Sequence, residues 1–205
     1  MPLSQLLVGP QTYSDGSNPT ARAGKTGEAV IQQLHGRYYE QAVRGNIFYV
    51  ASQAVVTTTV GLNTTYTGLV ISNPVNSGIN AVLLKASMMQ SVIQATQVEG
   101  YAIALGYNAT TNVTHTTPIT VQPSKVGSGL SGQVKADSSA TLPTAPVYAH
   151  FVANTSTATS NNTGITVDFE GSVILTPGAY AMFVTPAQAS VNGMWFAFQW
   201  EEVAV

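Results

Sequence analysis

The 205 residues include seven Lys or Arg and nine Asp or Glu, a charged fraction of 8% with a formal charge of −2, and no cysteine. The missing cysteines exclude a disulfide scaffold, a thiolate nucleophile and every Cys-based zinc site, and the near-neutral balance lacks the basic face that nucleic-acid binding demands. Ordinary soluble domains are about one-quarter charged, so Ser, Thr, Asn and Gln must supply the wet surface here, and such a surface repels copies of itself only weakly.

Two situations fit that deficit. Either much of the surface is covered by copies or partners, whose interface cores are depleted in charge, or the chain works outside the crowded cell. The length suits one all-β domain with an attached arm, and folding at this size buries roughly 70% of the extended chain's surface without covalent staples. The opening residues Met1-Pro2-Leu3-Ser4-Gln5-Leu6-Leu7-Val8 lack the basic and long apolar regions of a signal peptide, and no run of about 18 apolar residues occurs. The expectation is a protein made in a cytoplasm, with no membrane and no nucleic acid among its partners.

In chain order, residues 1–46 read as an N-terminal arm and residues 47–205 as the body. The arm holds Arg22, Lys25, Arg37 and Arg44, four of the seven basic residues, against Asp15, Glu28 and Glu40. Gly9 to Gly27 is rich in Gly, Pro, Ser, Asn and Thr, too poor in apolar area to fold alone, and is expected to order on a neighbour. Thr26 is placed to cap a short helix carrying Val30, Ile31, Leu34 and Tyr38 on one face, weakened at Gly36.

From Asn46 onward the period is two. Expected strands run Ile47 to Ala51, Ala54 to Val60, Thr65 to Ser72, Ile79 to Ser87, Tyr101 to Tyr107, Ile119 to Val121, Val147 to Ala153, Ile165 to Glu170, Tyr180 to Val184 and Met194 to Val203. Tyr101, Ile103, Leu105 and Tyr107 alternate with Ala102, Ala104 and Gly106, so one sheet face carries large residues and the other permits close approach. Ala81-Val82-Leu83-Leu84 is continuously apolar and calls for cover on both faces. Thr110 to Pro146, rich in Thr, Ser, Gly and Pro, is expected as long loops or an irregular hairpin. Thr176-Pro177-Gly178 reads as a type II turn, and Asn73-Pro74 and Asn76-Ser77-Gly78 mark further turns. The fold class is therefore all-β: a jelly-roll-like two-sheet β-sandwich with an extended N-terminal arm.

No constellation that carries chemistry stands out. Gly24-Lys25-Thr26 lacks the earlier glycine of a phosphate loop, where Pro19 stands, and Gly127-Ser128-Gly129-Leu130-Ser131-Gly132 opens no helix with an apolar face. His35, His115 and His150 have no metal-ligand spacing. Asp168 and Glu170 share one strand face with Cβ atoms about 7 Å apart, a geometry open to a glycosidase pair or a Ca²⁺ site, yet also the ordinary solvent face of an alternating strand. The reading is of no catalytic residues, no cofactor and no metal. In the last strand, Met194, Phe196, Phe198 and Trp200 take one face and Trp195, Ala197 and Gln199 the other, so one aromatic face suits an interface.

Gly36-Arg37-Tyr38-Tyr39-Glu40, Arg44-Gly45-Asn46, Asn63-Thr64-Thr65 and the ending Trp200-Glu201-Glu202-Val203 resemble a group of structural proteins of tailed bacteriophages. The resemblance implies a virion protein assembled in the host cytoplasm, of the capsid decoration or cement kind, often a jelly-roll trimer gripping the major capsid protein through an N-terminal arm. On that basis Arg37, Tyr38, Tyr39 and Arg44 are expected to contact the shell, and Trp195 and Trp200 to serve self-association in a homotrimer. The alternative is a tail or head-fibre protein that binds host-surface glycan through exposed Trp or Tyr.

Overall fold

The computed structural model describes residues 36–92, 98–156, 164–186 and 193–205. The chain divides into two units, Met1–Glu40 and Gln41–Val205, and residues 36–40 are the described part of the first. The expected arm from Gly9 to Gly27 and the apolar face Val30, Ile31 and Leu34 therefore lie outside the described residues. A short helix, α1 (Tyr39–Arg44), has Glu40 in its first turn and Arg44 in its last, each matching the sign of the helix dipole. It stops at Gly45, whose φ of 84° is the left-handed cap that glycine adopts without strain.

Among the described residues twelve strands follow: β1 (Ile47–Ala51), β2 (Thr65–Ser72), β3 (Ile79–Val92), β4 (Val98–Tyr107), β5 (Thr114–His115), β6 (Pro118–Ile119), β7 (Gln122–Pro123), β8 (Lys135–Thr141), β9 (Val147–Ser156), β10 (Ile165–Leu175), β11 (Ala179–Val184) and β12 (Gly193–Ala204). One sheet has the order β10-β3-β12-β1-β7 and the other β5-β8-β2-β11-β4-β9, with β6 attached to β8. The antiparallel pairs β1 with β12, β2 with β11, β3 with β10 and β4 with β9 are nested. That nesting is one long hairpin rolled into two sheets, the connectivity of a jelly roll. The expected jelly-roll-like sandwich is thus the observed architecture, with β5 to β8 inserted between its fourth and fifth long strands.

Alternation explains why these segments fill the core. Phe48, Val50, Leu83, Ala86, Met194, Phe196, Phe198 and Trp200 from one sheet meet Leu69, Ile71, Tyr101, Ile103, Ala181 and Phe183 from the other in a single buried cluster. Phe183 stacks on Phe196 with ring centroids 4.5 Å apart. Leu83 and Leu84, adjacent in sequence, are both buried because the ladder with β12 passes from Lys85 to Leu83 and leaves Leu84 as the extra residue of a bulge.

The second sheet is apolar on its other face too. Tyr66, Val70, Ala102, Ala104, Tyr180 and Met182 form a second cluster with Val113 and Leu142 from the inserted segment. The small residues of β4 make this possible: Tyr180 lies opposite Gly106, where an added Cβ would sit 2.2 Å from the tyrosine ring. The Tyr180 hydroxyl donates to the Thr144 carbonyl at 2.5 Å, pinning the loop after β8 over this layer.

Two expectations are corrected. Ala54 to Val60 is not a strand: Val56 bridges Met194 of the first sheet and Val60 bridges Thr185 beyond β11 of the second, so the segment crosses between layers instead of lying in one. Within Thr110 to Pro146 lies a true strand, β8, paired to β2 from Thr65–Thr141 to Ser72–Lys135. The turn at Thr176-Pro177-Gly178 forms as expected, with Ala179 N donating to Thr176 O at 2.9 Å and Gly178 at φ 90°. Asn73 locks this turn to the β2–β3 corner: its amide nitrogen donates to Ile79 O at 2.7 Å and Leu175 O at 2.9 Å.

Candidate functional site

The residues nominated from sequence fall in separate places. In the first unit Arg37 is exposed and lies over the Tyr38 ring at 5.4 Å, and Tyr39 is exposed. In the second unit Arg44 is exposed and shares a cleft with Glu201 and Glu202. Trp200 is 0% exposed in the inter-sheet core and so offers no surface to another copy, a correction to the self-association role; its ring fills the core instead. Trp195, on the opposite face of β12, is half-buried beside Met89.

The titratable groups hold structure together. Asp168 pairs with Lys85, its neighbour across β10 and β3, at 3.2 Å. Glu170 sits at φ 51° where the β10 register breaks, so the regular alternation with Asp168 does not run through it. Glu202 accepts from the main-chain nitrogens of Gln133 and Val134 at 2.9 and 3.0 Å and from the Trp200 indole at 3.3 Å, anchoring the glycine-rich loop before β8. That loop, Gly127 to Gly132, leads into a strand.

Sequence reasoning did not find the contact between His115 and Asp137, 22 residues apart, whose Nδ1 and Oδ2 are 2.5 Å apart. Asp137 is fully buried on β8. Its strand was hidden because Lys-Ala-Asp-Ser-Ser-Ala-Thr carries no β-branched or aromatic residue before Thr141, and only the ladder with β2 makes it a strand. Among the described residues no group of three or more His, Asp or Glu is placed to hold a metal ion, and no helix is long and apolar enough to cross a membrane.

The surface has two features of another kind. β10 and β9 end their respective sheets on the same side of the sandwich, where His150 meets Phe169 edge-on at 5.3 Å. β10 is blunted by Asp168, Glu170 and its bulge, devices that keep an edge from pairing with another chain. β9 contains no Lys, Arg, Asp, Glu or Pro. Its ladder with β4 skips Ala149 and Val152, and such bulges re-aim side chains. Val147 is 64% and Phe151 76% exposed, with Tyr148 against Phe151 at 5.6 Å and Tyr107 exposed at the Val147 end.

The second feature is a groove of about 870 Å³ where the two sheets part, between β1 with the segment after it and the crossing strand β6. Fifteen residues line it and none is charged. By contrast, the clefts around His115 include Lys135, and the one at Arg44 includes two glutamates.

Fold and surface together define a jelly-roll sandwich distinguished by an uncharged edge strand and a neutral groove. No protein-family model, no curated protein and no solved structure matches the chain.

Proposed function

We propose that the chain is a non-enzymatic structural subunit of a tailed-bacteriophage particle, a homotrimeric decoration protein that cements the head by binding the major capsid protein. The observation that carries the assembly half is the β9 edge: a strand without a single charge presents Val147 and Phe151 to solvent beside Tyr107, with half-buried Tyr148 beneath Phe151. Contiguous apolar surface of this kind marks an interaction site. The bulges at Ala149 and Val152 disfavour flat strand-to-strand pairing and leave side-chain packing as the mode of contact. Near a threefold axis one such patch meets its own copies and the ring closes.

The phage half is supported by the resemblance of Gly36-Arg37-Tyr38-Tyr39-Glu40, Arg44-Gly45-Asn46 and the C-terminal residues to virion proteins. Arg37, Tyr38, Tyr39 and Arg44 remain the proposed shell contacts, a role suited to guanidinium and phenol side chains, which interfaces favour. Trp195 keeps a place in self-association as a half-buried neighbour of Met89.

Two measurements test the reading. Native mass spectrometry should give the wild-type chain as a trimer and Phe151→Lys as a 21.4 kDa monomer. Cryo-electron microscopy of the particle should place the chain on the head in threefold clusters. A wild-type monomer, or density confined to the tail, overturns it.

A further inference from the structure

We propose that the groove between β1 and β6 is a binding site for a neutral oligosaccharide. With no Lys, Arg, Asp or Glu among its lining residues, nothing there compensates the desolvation of a phosphate, a carboxylate or an ammonium group, so an ionic ligand would lose its hydration without a partner.

What the site contains is equally selective. Gln53, Thr120, Gln122 and Ser139 bring amide and hydroxyl groups to the walls, while Val55 and Ile119 supply apolar surface between them. The side chains of Tyr49, Thr120, Gln122 and Ser139 make no hydrogen bond among the described residues, so their donors and acceptors are open to a ligand. A sugar ring needs this alternation, because its hydroxyl edges seek hydrogen bonds and its C–H faces seek apolar or aromatic cover.

Tyr49 provides the aromatic cover. It is the one outward side chain in the centre of β1, 37% exposed, between buried Phe48 and Val50. Its main chain is fixed on both sides, by Gln199 of β12 and Gln122 of β7. The ring is therefore held on a rigid strand with its partner amide opposite, and a tyrosine so placed presents an apolar face and a polar tip. The volume of about 870 Å³ falls within the roughly 300–1,000 Å³ of small-molecule sites and admits more than one sugar ring.

This site is distant in role from the β9 edge, so it stands or falls independently of the assembly reading. The test is a printed array of neutral and acidic glycans probed with the full chain. Calorimetry with maltopentaose, cellopentaose, laminaripentaose and oligogalacturonate follows, at low and high salt. The expected result is saturable binding of at least one neutral glycan, with an affinity that salt does not change. Tyr49→Ala and Gln122→Ala each weaken it about tenfold, Tyr49→Phe retains most of it, and Val126→Ala, at an exposed position outside the groove, leaves it unchanged. Native mass measured on the same variants distinguishes lost glycan binding from lost assembly. The proposal is overturned by silence from every neutral glycan at millimolar concentration, by salt-sensitive preference for oligogalacturonate, by binding that survives both Tyr49→Ala and Gln122→Ala, or by a Tyr49→Ala variant whose only change is dissociation into monomers.

Discussion

Replacing Asn73 by Ala tests whether one side chain ties the two halves of the sandwich together. The Asn73 amide nitrogen serves two main-chain acceptors on different elements, Ile79 O and Leu175 O. Because both neighbours are acceptors, the NH₂ must face them, and this leaves Oδ1 buried without a partner. Each lost buried bond costs about 1–2 kcal/mol, and removing the unpartnered oxygen returns roughly 1 kcal/mol, for a net loss of about 1–3 kcal/mol. The main-chain bonds Asn73 N to Ala179 O and Gly178 N to Asn73 O, both 2.8 Å, survive in the variant, so the change isolates the side chain. For a chain of this size that loss lowers Tm by about 2–12 °C. Calorimetry with urea titration reads it, and Asn73→Asp, which sets a carboxylate against two carbonyls, should lose more at neutral pH. A fall in Tm below about 2 °C for Asn73→Ala with an unchanged urea slope would refute the reasoning.

Three further outcomes are expected. Gly106→Ala drives a methyl group into the Tyr180 ring, 2.2 Å away, and should destabilise by about 1–3 kcal/mol in urea unfolding; an unchanged midpoint would show that the ring has room to move. Glu202→Ala removes the acceptor for Gln133 N and Val134 N, so hydrogen exchange at those two amides should accelerate while the β12 core stays protected. Burial raises the Tyr66 phenol well above its ordinary value of 10.0, and its proton bonds Phe183 O. The unfolded chain ionises first, so the stability this group lends is complete below pH 10.0 and declines as pH rises through and beyond that point. Tyr66→Phe should flatten the alkaline limb of a Tm-against-pH curve relative to wild type, and an identical limb would contradict the assignment.

The long strands were legible because each has one face in the core. Ile165, Val167 and Phe169 alternate with Thr166, Asp168 and Glu170 in sequence, and the latter three are exposed in the structure. The pairing of Ala102, Ala104 and Gly106 opposite large residues announced a close approach, and Tyr180 and its cluster make it. Three things were hidden. Val56 and Val60 have the composition of a strand but bridge different sheets, a choice made by tertiary contacts rather than by propensity. β8 is held by its neighbours and carries Asp137, so the His115 contact depended on a strand that composition did not reveal. Trp200 was indistinguishable in type from Trp195, and strand parity alone separates the buried ring from the half-exposed one. The β9 patch and the neutral groove arise where distant segments meet, and no local pattern encodes them.

The nested strand order also sets a timetable for folding. Among the four nested pairs β4 and β9 have the shortest separation, and every later pair, β3 with β10, β2 with β11 and β1 with β12, encloses the one before it. Closing them from the inside outward adds a small increment of loop entropy at each step. The strand that fills the middle of the first sheet, β12, is also the last of the described strands in chain order, so it is made after its partners. Until it arrives, β1 and β3 face each other across a gap with unpaired edges, so a growing chain spends its time on the ribosome with half a sheet open to neighbours.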